Sequence, residues 1–332
     1  MRVRIDRRWT ALGFVLAAMA IALVLTVTDQ RLASSQTVTL VAKQSEAPVP
    51  LDDPFSAVWA RAKKVQVPMA DQNVIQPKAG TPRTMTARAL NDGDRLYVLA
   101  EWDDPTQDLS LDRQQTFSDG AAVEFPVTEG EQVPNFCMGN PDALVNIWQW
   151  KAAWQADLEE GYVTIEETYP NMAVDDYPFE DEQVFYPALA AGNPFARTDR
   201  TSAVDNLLAG VYGTLTNAED QMVQGAGAWR DGKWRVIFAR DMSVDGEYTQ
   251  FEHSQSNNLA FAVWDGANED RDGMKSVSQF LTLEVSSDIA KAGDGGLPIW
   301  AIVLIVAGGL GVAAAVGGAY ALRQRKGAGA PS

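Results

Sequence analysis

Short runs of alternating apolar and polar residues, each ended by turn formers, recur from Asp52 to Ser287. RLYVLAEW (Arg95 to Trp102) alternates in this way and follows Asn91-Asp92-Gly93-Asp94, a hairpin signal. AAVEFPV (Ala121 to Val127), VNIWQWKAAW (Val145 to Trp154), LAFAVWDG (Leu259 to Gly266) and QFLTLEVS (Gln279 to Ser286) add further strand-like runs. In GAGAWRDGKWRVIFARDM, Asp231-Gly232 separates two such arms, which should therefore pair as neighbours. No segment of helical period in this region rivals these runs, so the expected fold is all-β, an antiparallel β-sandwich over residues 52–287. From about residue 159 to 217 the pattern breaks into a Pro-, Tyr- and acid-rich stretch. It is read as a large loop insertion that packs over one end of the sandwich or against a partner. Internal repeats are not apparent.

Two uninterrupted apolar segments flank this domain. Trp9 to Val27 carries no charge and is long enough to span a bilayer, so residues 9–28 read as a signal anchor, with a cleaved signal peptide as the alternative. Leu297 to Leu322 is likewise uncharged and reads as a C-terminal transmembrane helix over 297–322. Residues 29–51 form a linker, polar and proline-containing from Gln44 to Leu51. The basic flanks, 1–8 and 323–332, should stay cytoplasmic, which puts the sandwich on the extracytoplasmic face of the cell membrane.

Charge and scarce residue types then narrow the chemistry. The formal net charge is -17, and the two flanks contribute +3 each, leaving -23 between the membrane segments. Such acidity argues against nucleic-acid binding and suits a salt-adapted surface or steering of a basic partner. A single cysteine, Cys137, excludes a disulfide framework, an iron–sulfur cluster and covalent c-type haem within the chain. A single histidine, His253, excludes bis-histidine haem ligation, and its polar setting in FEHSQSNN marks a surface residue. A hydrolase triad has no visible members, and carboxylate pairs such as Asp103-Asp104 and Asp175-Asp176 are too common here to indicate a glycosidase. The acidic loop Trp264 to Gly273 misses the EF-hand calcium spacing.

Five blocks in fixed order carry a family resemblance: EWDDPTQD (Glu101 to Asp108), FSDGAAVEFP (Phe117 to Pro126), PNFCMGN (Pro134 to Asn140) with VNIWQWKA (Val145 to Ala152), GAWRDGKWRVIFAR (Gly227 to Arg240) and FAVWDGANEDRDGMKSVS (Phe261 to Ser278). Together, over roughly residues 52 to 286, they resemble the haem b-binding gamma subunit of the ethylbenzene dehydrogenase type, which accompanies molybdenum enzymes of the dimethyl sulfoxide reductase family. The resemblance implies one haem b held between a methionine and a lysine. Met138 falls at the methionine position and Lys275 at the lysine position, while Cys137 stands where the family often has a second methionine. Phe136, Trp148, Trp150 and Trp264 are candidate pocket walls, and Met274 and Met69 are lesser ligand candidates.

A thioether is a soft neutral ligand, and a ligating lysine must be the neutral amine, which requires burial of Lys275. With both axial positions filled the subunit would transfer electrons rather than transform substrate. The implied partners are a molybdenum-cofactor catalytic subunit, an iron–sulfur subunit, the membrane, and a soluble or membrane electron carrier. Relatives of this kind serve nitrate, chlorate or selenate reduction, nitrite oxidation, and hydrocarbon or dimethyl sulfide oxidation; membrane attachment favours nitrite oxidoreductase or nitrate reductase assemblies. Two rivals predict something different. A carbohydrate-binding sandwich would expose coplanar tryptophans, and a haem-less membrane adaptor would not turn Met138 and Lys275 toward one pocket.

Overall fold

The structure, a computed structural model, describes residues 38–71, 84–128, 134–136, 138–173, 186–291 and 294–295. The proposed membrane segments 9–28 and 297–322, their basic flanks and Cys137 lie outside the described residues. No helix among the described residues is long and apolar enough to cross a membrane. The chain divides into two compact units, 1–38 and 39–332, and the second contains all the elements that follow.

Its strands are β1 (Thr39–Gln44), β2 (Val65–Pro68), β3 (Ala70–Asp71), β4 (Thr84–Asn91), β5 (Arg95–Asp103), β6 (Gly120–Pro126) and β7 (Val145–Lys151). They continue as β8 (Val204–Ala209), β9 (Thr216–Asn217), β10 (Gln224–Trp229), β11 (Lys233–Asp241), β12 (Ser256–Trp264), β13 (Ser276–Val277) and β14 (Leu281–Ile289). The fold is thus dominated by β-sheet, with neighbours in the order β10-β11-β5-β4-β1-β14-β12-β6-β7-β8-β9.

β12 is the corner. Its first half, Ser256 to Leu259, pairs with β14, and its second half, Ala260 to Trp264, pairs with β6. A strand that changes partners midway lets a sheet turn back over itself. The result brings Trp150 of β7 to 4.9 Å from Trp234 of β11 and 6.4 Å from Trp102 of β5, ring centre to ring centre. Such aromatic pairs add about 0.5–1.5 kcal/mol each beyond the area they bury. Nearby, Arg240 is fully buried between the rings of Trp148 and Phe251 and donates to Asn146 Oδ1 and to the Thr249 carbonyl.

The hairpin expected at Asp231-Gly232 is present. Both residues have positive φ, 53° and 76°, and β10 pairs with β11 in antiparallel register from Gln224–Ala239 to Trp229–Trp234. Paired positive φ values give the reversal whose twist matches that of the flanking strands.

Three expectations need correction. The sheet is not wholly antiparallel, because β1 runs parallel to both β4 and β14. That strand also falls inside the expected linker 29–51, yet Leu40 and Ala42 are fully buried. Its chain reaches β4 through a crossover containing β2 and β3 rather than through a hairpin, which is how parallel neighbours must be joined. Finally, the insertion is smaller than 159–217. A helix, α1 (Ala152–Glu160), begins directly after β7, and residues 204–209 form β8, paired along β7.

At Gly227 an added Cβ would overlap the Trp150 indole. Gly227→Ala should therefore destabilise the protein by about 1–3 kcal/mol, the range for overpacking a filled core. The check is a lower urea midpoint at unchanged m-value; an unchanged midpoint would show that the two layers are not locked at this contact.

Candidate functional site

Successive strand residues face opposite ways, and the register of β12, β6, β7 and β8 makes the consequence explicit. Trp264, Gly120 and Lys151 share one row across the sheet; Ala260, Glu124, Ile147 and Leu207 share another. This face carries the apolar cluster of Ala122, Val145, Ile147, Leu207 and Trp264, against which Met138 packs. A cavity of about 690 Å³ lies here, lined by Met138, Ile147, Leu207, Trp264 and Lys275 among others. The volume falls within the range of small-molecule and cofactor pockets.

The two residues implied as ligands thus line a single cavity. Met138 and Gly139 have consecutive positive φ values, 87° and 75°. For a non-glycine residue this conformation costs on the order of 1 kcal/mol and persists only where surroundings hold it. Here the Met138 amide donates to the Glu124 carboxylate, and Gly139 fits closely against the Ala143 carbonyl. Lys275 lies on the segment that leads into β13, with its ammonium 4.9 Å from the centre of the Trp264 ring. Burial was expected for it, and it is half-buried.

The wall candidates separate by strand parity. Trp264 lines the cavity. Trp148 and Trp150 are fully buried on the opposite face, where Trp148 meets Phe125 and Phe251 and Trp150 meets Trp234. Their even positions on β7 point away from Ile147, Gln149 and Lys151, so these two tryptophans are core and not wall. Phe136 is half-buried in the turn before Met138 and does not line the cavity. Met69 packs in the core, Met274 does not line the cavity, and His253 is exposed, as expected.

Two polar residues in this region were not anticipated. Glu124, the register partner of Ile147 on β6, is buried, with Oε1 lacking a hydrogen-bond partner. Burial pushes its carboxyl up to about 8, with the charge of Lys275 and the Met138 amide acting in the opposite direction. Lys151 is the second lysine of the cavity. Burial pulls its amine down to about 8, opposed by Asp205, whose Oδ2 lies 3.3 Å away, and the ammonium sits 3.9 Å from the centre of the Trp154 ring. The alternating pattern of β7 could have indicated Lys151, since it continues the outward series of Ile147 and Gln149. Arg113 and Arg271 complete the basic lining, each stacked on a ring, those of Tyr169 and Phe117 respectively.

Comparison with known proteins identifies the class. Residues 56–276 match the ethylbenzene dehydrogenase family, two thirds of the chain, and the chain belongs to that family. More particular relatives are named as subunits of two reductases and a dehydrogenase. A protein of Haloferax mediterranei named as a respiratory nitrate reductase heme subunit is 29% identical over 230 residues, 68% of this chain and 66% of that one, just under two thirds. The gamma subunit of dimethylsulfide dehydrogenase from Rhodovulum sulfidophilum is 27% identical over 73% of this chain and 78% of its own length. The gamma subunit of chlorate reductase from Ideonella dechloratans is 26% identical over 68% and 75%. Among solved structures, a family 9 carbohydrate-binding module from Caldicellulosiruptor kristjanssonii with cellotriose overlaps 78% of this chain and 98% of its own at a TM-score of 0.34 and 10% identity, too remote to carry functional weight. The resemblance drawn from the five sequence blocks is therefore confirmed at the level of the family.

The Lys151 amine has a folded-state pKa, about 8, below its unfolded value near 10.5. The unfolded chain then binds the extra proton between those values, so stability should rise with pH across that window. Relative to Lys151→Met, the wild type should gain on the order of 1 kcal/mol per pH unit from pH 8 to 10. Denaturant unfolding at several pH values tests this, and parallel wild-type and variant curves would refute it.

Proposed function

We propose that this chain is the haem b subunit of a membrane-associated molybdenum and iron–sulfur oxidoreductase, with Met138 and Lys275 as the axial ligands. The observation that carries the reading is their convergence on one cavity of about 690 Å³ with an apolar floor. Haem b is a flat apolar macrocycle with two carboxylate arms, and it exchanges one electron at a time at its iron. The residues present fit that group. Ile147, Leu207 and Trp264 offer apolar surface to the ring, and Arg113, Lys151 and Arg271 offer cations to the carboxylates. Met138 supplies a soft thioether, and Lys275 an amine beside the Trp264 face.

The family assignment and the relatives' names support an electron-transfer role with a catalytic and an iron–sulfur partner. The named relatives work on nitrate, dimethyl sulfide and chlorate, so substrate choice belongs to the catalytic partner and not to the haem domain. Membrane attachment through the terminal apolar segments, with the haem domain on the extracytoplasmic face, follows from the basic flanks. A nitrate-reducing or nitrite-oxidising assembly is the preferred setting. The carbohydrate alternative is disfavoured because no described tryptophan is in the exposed class, which leaves no tryptophan platform among the described residues.

A pyridine haemochrome assay on the detergent-purified protein from its native membrane should give about one b-type haem per chain. Met138→Ala and Lys275→Ala should each convert a low-spin to a high-spin spectrum or lower haem content severalfold, whereas His253→Ala should leave the spectrum unchanged. Because Lys151 is a second amine lining the same cavity, Lys151→Ala is the necessary companion. Loss of the low-spin signal there, with its retention in Lys275→Ala, would move the ligand assignment to Lys151.

A further inference from the structure

Three carboxylates meet where the two sheet layers come together. Asp104 directly follows β5, Asp119 directly precedes β6, and Asp265 directly follows β12, and one oxygen of each lies within 4.8 Å of the others. We propose that Asp104, Asp119 and Asp265 bind a divalent cation of the calcium class. The proposal does not depend on the haem assignment.

Acidic side chains are abundant in this protein, and few of those among the described residues are buried. Two of the three here are among the few: Asp104 is 2% and Asp119 1% exposed, and Asp265 is half-buried. None of the described ion pairs includes Asp104 or Asp119. Withdrawing carboxylates from water without a compensating charge is costly.

The independent sign of a missing ligand is at Asp104. Its Oδ1 accepts from the Thr106 amide and hydroxyl and the Trp102 indole bears on the same carboxylate, while Oδ2, also buried, makes no hydrogen bond of normal geometry. Asp119 is fixed as a rigid donor. It accepts from the amides of Gly266 and Asp108 and from Trp234 Nε1, and carboxylate oxygens retain lone pairs beyond these bonds. Asp265 Oδ1 accepts from the Asn268 amide, which sets the turn that presents it.

Distance agrees with the chemistry. Oxygens at the usual 2.3–2.6 Å from calcium lie on a sphere about 4.6–5.2 Å across, so three atoms mutually within 4.8 Å can share one ion. An all-oxygen donor set selects a hard cation, and open loop geometry suits calcium better than the strict octahedron of magnesium. Burial pushes Asp119 up to about 7 and Asp104 upward as well, each further raised by a neighbouring carboxylate. A proton is therefore the competitor for the same place.

Bound cation would tie the end of β5 in one layer to β6 and β12 in the other. It would also anchor the segment from Asp265 to Ser276, which bears Lys275 and closes the cavity.

The test is metal analysis of the purified full-length protein, together with its melting with calcium, with magnesium and with EDTA. About one calcium per chain is expected. Calcium at a hundredfold excess over Kd should raise the melting temperature by about 5–10 °C over EDTA, with a smaller response to magnesium. Asp265→Asn, at the half-buried position, should remove both the bound calcium and the shift, as should Asp104→Asn. Wild type without bound metal that melts identically in calcium and EDTA would overturn the proposal and leave proton sharing as the account of the cluster. So would calcium retained at unchanged affinity in Asp265→Asn. If the variants fail to fold, the wild-type metal content and calcium response decide alone.

Discussion

Everything at the candidate site depends on the register of β7 between β6 and β8. One face of this strand delivers Trp148 and Trp150 to the aromatic interior; the other delivers Ile147, Gln149 and Lys151 to the cavity. A slip of one residue would put two indoles into the cavity and a lysine into the core, so the interior packing fixes the cavity lining. Trp150 adds a lock from the far layer, because its ring occupies the space above Gly227 of β10 and leaves no room for even a methyl group. The cavity is in this sense the reverse side of a packing solution.

That constraint explains which features the sequence disclosed. The Asp231-Gly232 hairpin was legible because turn chemistry and alternation are local. Met138 and Lys275 were singled out by the order of the family blocks, since alone they are an unremarkable methionine and lysine. Trp148 and Trp150 were misjudged as walls because an aromatic-rich strand does not reveal which of its faces is interior until a neighbour fixes it. β1 was hidden for a related reason. Its short run adjoins a polar, proline-containing stretch, and its burial comes from β4 and β14, far along the chain. The Asp104, Asp119 and Asp265 cluster combines residues separated by up to 161 positions, and no periodicity in the chain anticipates such a meeting.

Around Met138 the structure concentrates features that a simple core would avoid. A methionine at φ 87° sits over a buried carboxyl with a pKa near 8, beside a lysine and at the edge of an apolar cluster. Ordinary packing gives no reason to keep a strained backbone and a buried acid together. Glu124 supplies the local reason, since it accepts the Met138 amide and so holds the residue in a conformation it would otherwise leave. The side chain is thereby presented to the cavity from a backbone that its neighbours hold in place.

The electrostatics of the cavity differ from those of the chain. Acidic residues outnumber basic ones by 17 over the whole protein, whereas the cavity is lined by four basic residues, Arg113, Lys151, Arg271 and Lys275, against four aspartates. This local parity is a relative concentration of positive charge within an acidic shell. It favours a guest that is apolar in its body and anionic at its rim. The same shell disfavours acidic partners at long range and favours approach by a basic surface. Charge is thus distributed in two ways, near balance at the cavity and acidic over the rest of the chain, with the exception confined to the face of β7 that the tryptophans do not use.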